Sequence, residues 1–327
     1  MATNVGGIMP SNRNRHQLLQ RLIDGEFHSG STLADAMGIS RTAVNNHIQA
    51  LQELGLDIYS VKGKGYRLAR SITLLDAEAI DGGSGRVFLL DDVNSTNSYL
   101  LDRVAQLNSG DCCLAERQTQ GRGRRGRQWV SPYAGSLYLS MYWRLEHGVA
   151  QSAGLSLAVG VLLVEALESL GIAGVGLKWP NDLYVGPSKL AGILVEMRGQ
   201  FGEPADMVLG CGMNVSLGAQ AAAGIDRAWT DLASHCGDDV DRNRLASAVI
   251  AHLQAGLRQF EAEGLAGFLP RWQKYDLFWD REVNIHLGER VISGRAVGID
   301  EQGALLLESS EGLKSYNSGE VSLRPTV

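Results

Sequence analysis

Hydrophobic and polar positions divide the chain into three stretches of different character. In the first, Leu18, Leu19, Leu22 and Ile23 recur at helical spacing across 16–24, and Gly25 stops the run. The spacing predicts a second short helix over 32–37, capped by Ser31, with Leu33, Ala36 and Met37 inward. A third helix is expected over 41–54, with Ser40 as N-cap and Val44, Ile48 and Leu51 as its buried stripe. Only Gly38-Ile39-Ser40 separates the last two, which is the spacing of a helix-turn-helix. Alternation over 57–61, a Lys62-Gly63-Lys64-Gly65 turn and a return over 66–69 predict a hairpin wing. Ser40, Arg41, Thr42, Asn45, Asn46 and Gln49 would face outward with groups that hydrogen-bond bases or phosphates, and Lys62 and Lys64 would meet phosphates from the wing. A plain three-helix packing module explains the helices but not the polar face and basic wing together.

Residues 71–85 are small, acidic and glycine-rich, ending in Gly82-Gly83-Ser84-Gly85, and mark a domain boundary. The second stretch mixes both periods. Strands are expected over 86–90, 112–116, 136–143, 176–178, 183–185, 188–196 and 208–214. Helices are expected over 96–107, capped by Ser95, over an apolar 149–170, and over an amphipathic 244–263; aromatics in 268–278 feed a core. The most apolar run, 155–167, contains Ser156 and Glu165 and is too short to span a bilayer. In the third stretch, 282–323, short alternating segments with turns at Gly288, 300–303, 311–312 and 317–319 suggest a small β-barrel.

Length adds that 327 residues suit two or three domains. The four cysteines form no C-x-x-C pair, so neither a zinc knuckle nor a disulfide framework is indicated, and a reducing compartment is favoured. The N-terminus lacks a secretory pattern, so a cytoplasmic location is expected. The net charge of −6 is uneven: residues 1–70 hold 8 Lys/Arg against 5 Asp/Glu, and the rest 22 against 31. A basic head on an acidic body fits a DNA-reading module attached to something else.

The chemistry concentrates in Gly121-Arg122-Gly123-Arg124-Arg125-Gly126-Arg127-Gln128-Trp129. Glycines let backbone N–H groups converge on an anion, and arginines add forks that match carboxylate and phosphate oxygens. A solvated basic loop is the bland alternative. Gly121, Gly123 and Gly126 also satisfy G-x-G-x-x-G, but Gln128-Trp129-Val130-Ser131-Pro132 cannot open the helix that a dinucleotide fingerprint requires, so a nicotinamide site is rejected. Further on, Trp179-Pro180-Asn181-Asp182 forms a polar turn, and Lys189 is a lone cation entering an apolar strand.

Four segments, GRGRRGRQW, KWPNDLY, SKLAGILVE and GCGMNV, stand in one order, and with them essentially the whole chain from about residue 15 resembles the family of bifunctional biotin–protein ligases that also repress the biotin operon. The resemblance implies an α+β multidomain protein. Residues 1–70 would be a winged helix-turn-helix and 71–85 a linker. Residues 86–278 would be a mixed α/β domain like the catalytic domain of class II aminoacyl-tRNA synthetases, and 279–327 an SH3-like barrel. It implies that biotin and Mg²⁺-ATP give biotinyl-5′-AMP, which acylates a lysine of the biotin carboxyl carrier protein of acetyl-CoA carboxylase. The adenylate would also serve as corepressor, favouring a homodimer on biotin operator DNA, with no membrane involved.

Carried over residue by residue, Ser95, Thr96 and Gln118 would hydrogen-bond the biotin ureido ring. Gly121 and Arg122 would approach the carboxylate and α-phosphate, and Lys189 would stand beside them. Gly192 would let strand backbone lie against biotin, and Trp129 and Trp229 would cover the ligand. Arg124 and Arg127 would partner phosphates, and Asn181, Asp182 and Asn214 would lie on the nucleotide side, with Asp182 as the metal ligand. Lys189, Arg122 and Arg124 are the expected catalytic residues. A lipoate–protein ligase would share the central fold without this DNA head, and a pure ligand-sensing transcription factor would not need Lys189 among phosphate-facing arginines.

Overall fold

A computed structural model describes residues 10–200, 202–237, 240–287, 290–317 and 321–325. The head contains α1 (Pro10–Leu22), α2 (Gly30–Met37) and α3 (Arg41–Glu53), which bury Leu18, Leu19, Leu22, Leu33, Val44, Ile48 and Leu51 in one core. Helix α1 begins six residues before the expected start, because Pro10 is suited to a first helical position and polar residues prolong the helix outside its apolar stripe. The cap of α2 is Ser29, not Ser31: the Thr32 N–H donates to Ser29 Oγ at 3.0 Å, which brings Gly30 and Ser31 into the helix. Ser40 caps α3 as expected, accepting from the Ala43 N–H at 3.1 Å. The turn between the helices needs a left-handed residue, and Gly38 supplies it at φ 64°. The wing pairs β1 (Ile58–Val61) antiparallel with β2 (Gly65–Leu68). At Gly65 (φ 102°) a Cβ would stand 2.0 Å from the His28 carbonyl oxygen, so only glycine allows the wing to bridge back to that loop.

The central unit is a mixed sheet of β3 (Val87–Val93), β4 (Cys112–Gln118), β5 (Ser136–Leu145), β6 (Val175–Lys178), β7 (Asp182–Val185), β8 (Ser188–Arg198) and β9 (Ala205–Asn214). The order is β3-β4-β5-β9-β8-β7-β6, with β3–β4 parallel and the other pairs antiparallel. Helix α4 (Thr96–Leu101) covers one face; α5 (Leu155–Ser169) packs on α8 (Arg242–Glu263) over the other. The adjacent cysteines show the pleat, since Cys112 joins the α5 and α8 core and Cys113 joins the α4 cluster. One-turn helices α6 (Ala219–Ala222) and α7 (Ala233–Cys236) precede α8, and α9 (Leu269–Tyr275) follows it, burying Trp272 and Tyr275.

Several expected boundaries move. The helix expected over 149–170 begins at Leu155, because Gly154 turns left-handed at φ 75° and 149–152 form a separate short turn. The helix expected over 96–107 ends at Leu101, after which 104–106 form a 3₁₀ turn. Strand β4 runs on through Gln118, past the expected end at 116, because β3 continues beside it and pairs Val93 with Gln118.

Residues 71–85 contain no helix or strand, yet they are strapped along α8. The Asp76 N–H donates to Asn243 Oδ1 at 2.8 Å, and Gln254 Oε1 accepts from the Ser84 N–H at 3.0 Å. Beneath the strap, Arg242 is 1% exposed and Glu116 5% exposed, with 2.6 Å between them. Arg242 also donates to the Thr73 and Ser136 carbonyls, and Glu116 accepts from the Leu75 N–H. Both charges are therefore met on several sides, as burial requires.

At the C-terminus, β10 (Arg281–Leu287), β11 (Arg290–Ile299), β12 (Leu305–Ser309), β13 (Gly312–Tyr316) and β14 (Val321–Pro325) form an antiparallel sheet in the order β13-β12-β11-β10-β14. The register shifts between Ala296 and Gly298. This sheet stands where a small barrel was expected; the turns expected at Gly288 and at 318–319 lie outside the described residues. Its core, including Val283, Ile285 and Leu307, is continuous with that of the central unit, and Trp179 Nε1 donates to the Gly303 carbonyl at 3.0 Å. No helix among the described residues is long and apolar enough to cross a membrane.

Candidate functional site

The C-terminal end of β4, the Arg-rich loop, β8, β9 and the loop after β9 line a cavity that opens to solvent. Ser95, Thr96 and Gln118 form one end. Ser95 caps α4, which exposes the start of that helix to the cavity. The backbone N–H and hydroxyl of Thr96 both donate to Gln118 Oε1, at 3.0 and 3.1 Å. Gln118 Nε2 donates to Ser131 Oγ at 3.3 Å. Behind them the buried Ser140 hydroxyl lies 2.7 Å from Thr96 Oγ1 and 2.5 Å from Asn97 Oδ1. Fixed donors and acceptors of this kind suit a small polar ring.

The middle of the cavity is built on glycine. A Cβ at Gly212 would lie 2.7 Å from the Trp129 ring, and one at Gly192 3.1 Å from it. Trp129 itself therefore lies on the strand backbone at Gly192, where the sequence suggested a ligand would rest. Its Nε1 is buried without a hydrogen-bond partner among the described residues, a donor suited to an incoming oxygen. Gly121 does not line the cavity. It lies behind the wall, where a Cβ would stand 2.4 Å from the Trp129 carbonyl oxygen, so it serves the turn of the loop.

The other end is cationic. Lys189 Nζ lies 2.7 Å from Asp182 Oδ1, with side chains 12% and 19% exposed, and 5.4 Å from the Trp129 ring centroid. Burial pushes the Lys189 ammonium below the usual lysine range, Asp182 opposes that shift, and Arg227 and Arg127 add to it. Arg124 donates to Asn181 Oδ1 at 3.0 Å; burial and Arg125 lower its pKa while Asp182 raises it. Arg122 reaches Glu196 at 2.7 Å, and Asn97 Nδ2 donates to the same Glu196 oxygen at 2.9 Å. Arg127, Asn214 and Trp229 complete this end, with Asn214 Nδ2 donating to the Thr230 carbonyl at 3.0 Å. The expected ligand-site residues other than Gly121 thus line a single cavity.

Sequence reasoning missed Asn97, Ser140, Glu196 and Arg227. Asn97 stood beside Thr96 in a polar turn that was already singled out, so its proximity was a usable signal. Glu196 closes the SKLAGILVE segment, which was singled out without giving that residue a role, whereas Ser140 belongs to a strand with no distinguishing local pattern, and only pairing across the sheet brings it here.

The candidate nucleic-acid face is separate. Arg41, Thr42, Asn46 and Gln49 are exposed on α3, and Lys62 and Lys64 on the wing tip. Asn45 is half-buried, its Oδ1 accepting from the Tyr66 hydroxyl at 3.3 Å, and the Ser40 hydroxyl is engaged in the cap. Arg67 stacks on Phe27 and Tyr59 at 4.9 and 5.5 Å, which stiffens the wing.

The chain matches the biotin/lipoate A/B protein ligase family over residues 89–214, an HTH domain over 14–67 and the biotin protein ligase C terminal domain over 279–324. It is 50% identical to the bifunctional ligase/repressor BirA of Salmonella typhimurium over 309 residues, covering 94% of this chain and 96% of the relative. The corresponding Escherichia coli protein is 48% identical over 312 residues, with the same coverage. Among solved structures, the biotin protein ligase of Aquifex aeolicus in complex with biotin and ATP superposes with a TM-score of 0.64 at 32% identity, covering 73% of this chain and 99% of that one.

Proposed function

We infer the reaction from one premise: this chain belongs to the biotin–protein ligase family, among its bifunctional ligase/repressor members. It is an ATP-dependent biotin–protein ligase with a DNA-binding repressor head. The observation that carries the residue assignment is the single cavity with polar Thr96 and Gln118 at one end and Lys189, Arg124 and Arg127 at the other. Biotin enters with its ureido ring against Ser95, Thr96 and Gln118, and its carboxylate points to Lys189 and Arg122.

A carboxylate oxygen then attacks the α-phosphorus of ATP, a new P–O bond forms, and pyrophosphate leaves with the bridging oxygen. Two anions must approach and charge builds on phosphorus, so fixed cations are the main catalytic resource, each worth on the order of 10²–10³-fold. Holding both substrates in one cavity removes much of the encounter cost. In the second step a carrier lysine amine attacks the acyl carbon, an amide forms and AMP leaves. No nucleophile from this chain is needed, and Trp129 and Trp229 keep water from the adenylate.

Magnesium fits the nucleotide end as an ion delivered with the phosphates. No group of three His, Cys, Asp or Glu side chains that could hold a metal occurs among the described residues, so an all-protein cage is not offered. Asp182 would provide its carboxylate, and the bound ion would neutralise phosphate charge.

Biotinyl-5′-AMP is also the corepressor: it favours a homodimer whose paired α3 helices read a two-fold operator. The working domain limits are 1–70, 71–85, 86–278 and 279–327, and the protein works in the cytoplasm on a biotin carboxyl carrier protein. The test is intact-mass analysis of an apo carrier domain incubated with the full chain, Mg²⁺-ATP and biotin. One added biotinyl group is expected; no addition, or equal addition of lipoate, would refute the assignment.

A further inference from the structure

The cavity wall that carries Trp229 is anchored by the DNA-binding head. Residues 215–232 leave β9 and return beside it, with the Ala233 N–H donating to the Val215 carbonyl at 2.9 Å. Within the loop, the Thr230 N–H donates to the Lys189 carbonyl at 2.9 Å and the Lys189 N–H to the Ala228 carbonyl at 3.1 Å. Trp229 is therefore held against the residue that presents the cavity's ammonium. Asp231 comes next, and its side chain is 0% exposed. It accepts from the Leu217 N–H at 2.8 Å, the Ser234 N–H at 3.0 Å and the Ser234 hydroxyl, so one carboxylate gathers both ends of the loop.

The cation beside that buried carboxylate is Arg70, whose Nη1 lies 3.3 Å from Asp231 Oδ2. Arg70 stands two residues past β2, at the foot of the wing, and is half-exposed. Neither side chain lines the cavity, so neither touches the ligand. The near end of the loop also leans on the head: a Cβ at Gly218 would lie 2.9 Å from Asp57 Oδ2 and 3.2 Å from the Gly55 carbonyl oxygen. The opposite wall behaves alike. Beyond Trp129, the Tyr133 N–H donates to the Leu54 carbonyl at 3.1 Å, and Tyr133 and Ala134 are buried in the head's own core.

We propose that Arg70 and Asp231 are a positioning pair through which the DNA-binding head sets the Trp229 wall, so that retention of the adenylate depends on a contact made outside the cavity. The proposal rests on the ligase assignment. A loop pre-ordered by the head loses less freedom when it closes on ligand, and that difference appears mainly in the rate of ligand escape. Arg70 being half-exposed, solvent screening limits the effect to about fivefold, the low end of ordinary coupling between sites.

The experiment uses the full chain as wild type, R70A, R70K and D231N. Labelled biotinyl-5′-adenylate is formed in place from biotin and Mg²⁺-ATP and chased with unlabelled biotin, and KM is measured separately for ATP and biotin. R70A is expected to release adenylate about fivefold faster and to raise the ATP KM in proportion, with the biotin KM within about twofold of wild type. R70K is expected to restore most of the retention; D231N, whose amide NH2 must also face the Leu217 or the Ser234 N–H, is expected to lose at least as much as R70A, and adding R70A to D231N to cost nothing further. Unchanged adenylate lifetime in both single variants would overturn the proposal alone. Equal rises in both KM values with no rescue by lysine would reduce the pair to a general stabilising contact and also overturn it. A wild-type chain that forms no adenylate would overturn the ligase assignment together with the proposal.

Discussion

Replacing Lys189 by Met tests the cationic end of the cavity most directly. Methionine keeps an unbranched stem against Trp129 and Gly192 but removes the ammonium, which Asp182 fixes at 2.7 Å in a position only 12% exposed. A cation so held needs little reorganisation when charge develops on phosphorus, so its loss should cost adenylate formation on the order of 10²–10³-fold, or about 2.7–4 kcal/mol. The assay is biotin-dependent pyrophosphate exchange, run beside transfer from supplied adenylate to carrier, a step expected to suffer far less. The pH profile gives a second readout. Burial lowers the Lys189 pKa from its ordinary value despite Asp182, so the wild-type rate should fall on the alkaline side sooner than a solvent-exposed lysine would dictate. The variant should lack that limb. Asp182 loses its partner in K189M, so urea unfolding of K189M beside K189M/D182N detects a folding defect, while activity is read in K189M alone because Asp182 itself belongs to the nucleotide end. An exchange rate within about threefold of wild type in a folded K189M would refute the role.

Three further outcomes are expected. Asp276 has its pKa raised by burial from 3.8 to about 6, against the opposing Phe278 N–H, so the folded chain binds the extra proton and stability from this group is lost as pH rises through about 6. D276N should therefore gain on wild type by about 1–3 kcal/mol between pH 5 and pH 8 in urea unfolding, and a pH-independent difference would contradict this. R242M leaves the Glu116 carboxylate buried without its cation and should cost about 3–5 kcal/mol in the same assay, with part recovered by adding E116Q. On operator DNA, K62A and K64A should each lower the slope of log K against log salt by about 1 while leaving base preference intact; an unchanged slope would remove the wing tip from the phosphate backbone.

Elements with a strong local period were legible in the sequence. Helix α3, with its Ser40 cap and its Val44, Ile48 and Leu51 stripe, lies within one residue of expectation because cap and periodicity agree. Where two local signals compete, the boundary moved. Ser29 and Ser31 both stand at the start of α2, and the choice of cap depended on which hydroxyl meets the Thr32 N–H. Gly154 lies inside an apolar run that periodicity alone joins into one helix, and a left-handed φ divides it. Residues 71–85 have a linker's composition, but their backbone N–H groups find Asn243, Glu116 and Gln254, contacts with far-off residues that composition does not encode. The cavity followed the same rule. Cations in the glycine-rich signatures were readable, whereas Glu196, Ser140 and Asp231 act only through partners brought to them by the sheet and the loop after β9.

Those acidic and amide partners change what the cluster of cations can contribute to binding. Arg122 is paired with Glu196, Arg124 with the Asn181 side-chain oxygen, and Lys189 with Asp182. Each phosphate or carboxylate that enters must share or displace an acceptor already at hydrogen-bond distance, so its gain is a difference between two charge-assisted contacts and not the whole of one. The same partners fix the cations in place before the ligand arrives, which lowers the reorganisation needed when phosphorus becomes more negative. On the proposed assignment, ground-state affinity for the triphosphate would be kept modest, while stabilisation of the transition state, where the charge is greatest, would be retained. That division would favour turnover over tight substrate binding, and under the proposal above it would leave retention of the adenylate to the two tryptophan walls and to the head residues against which they rest.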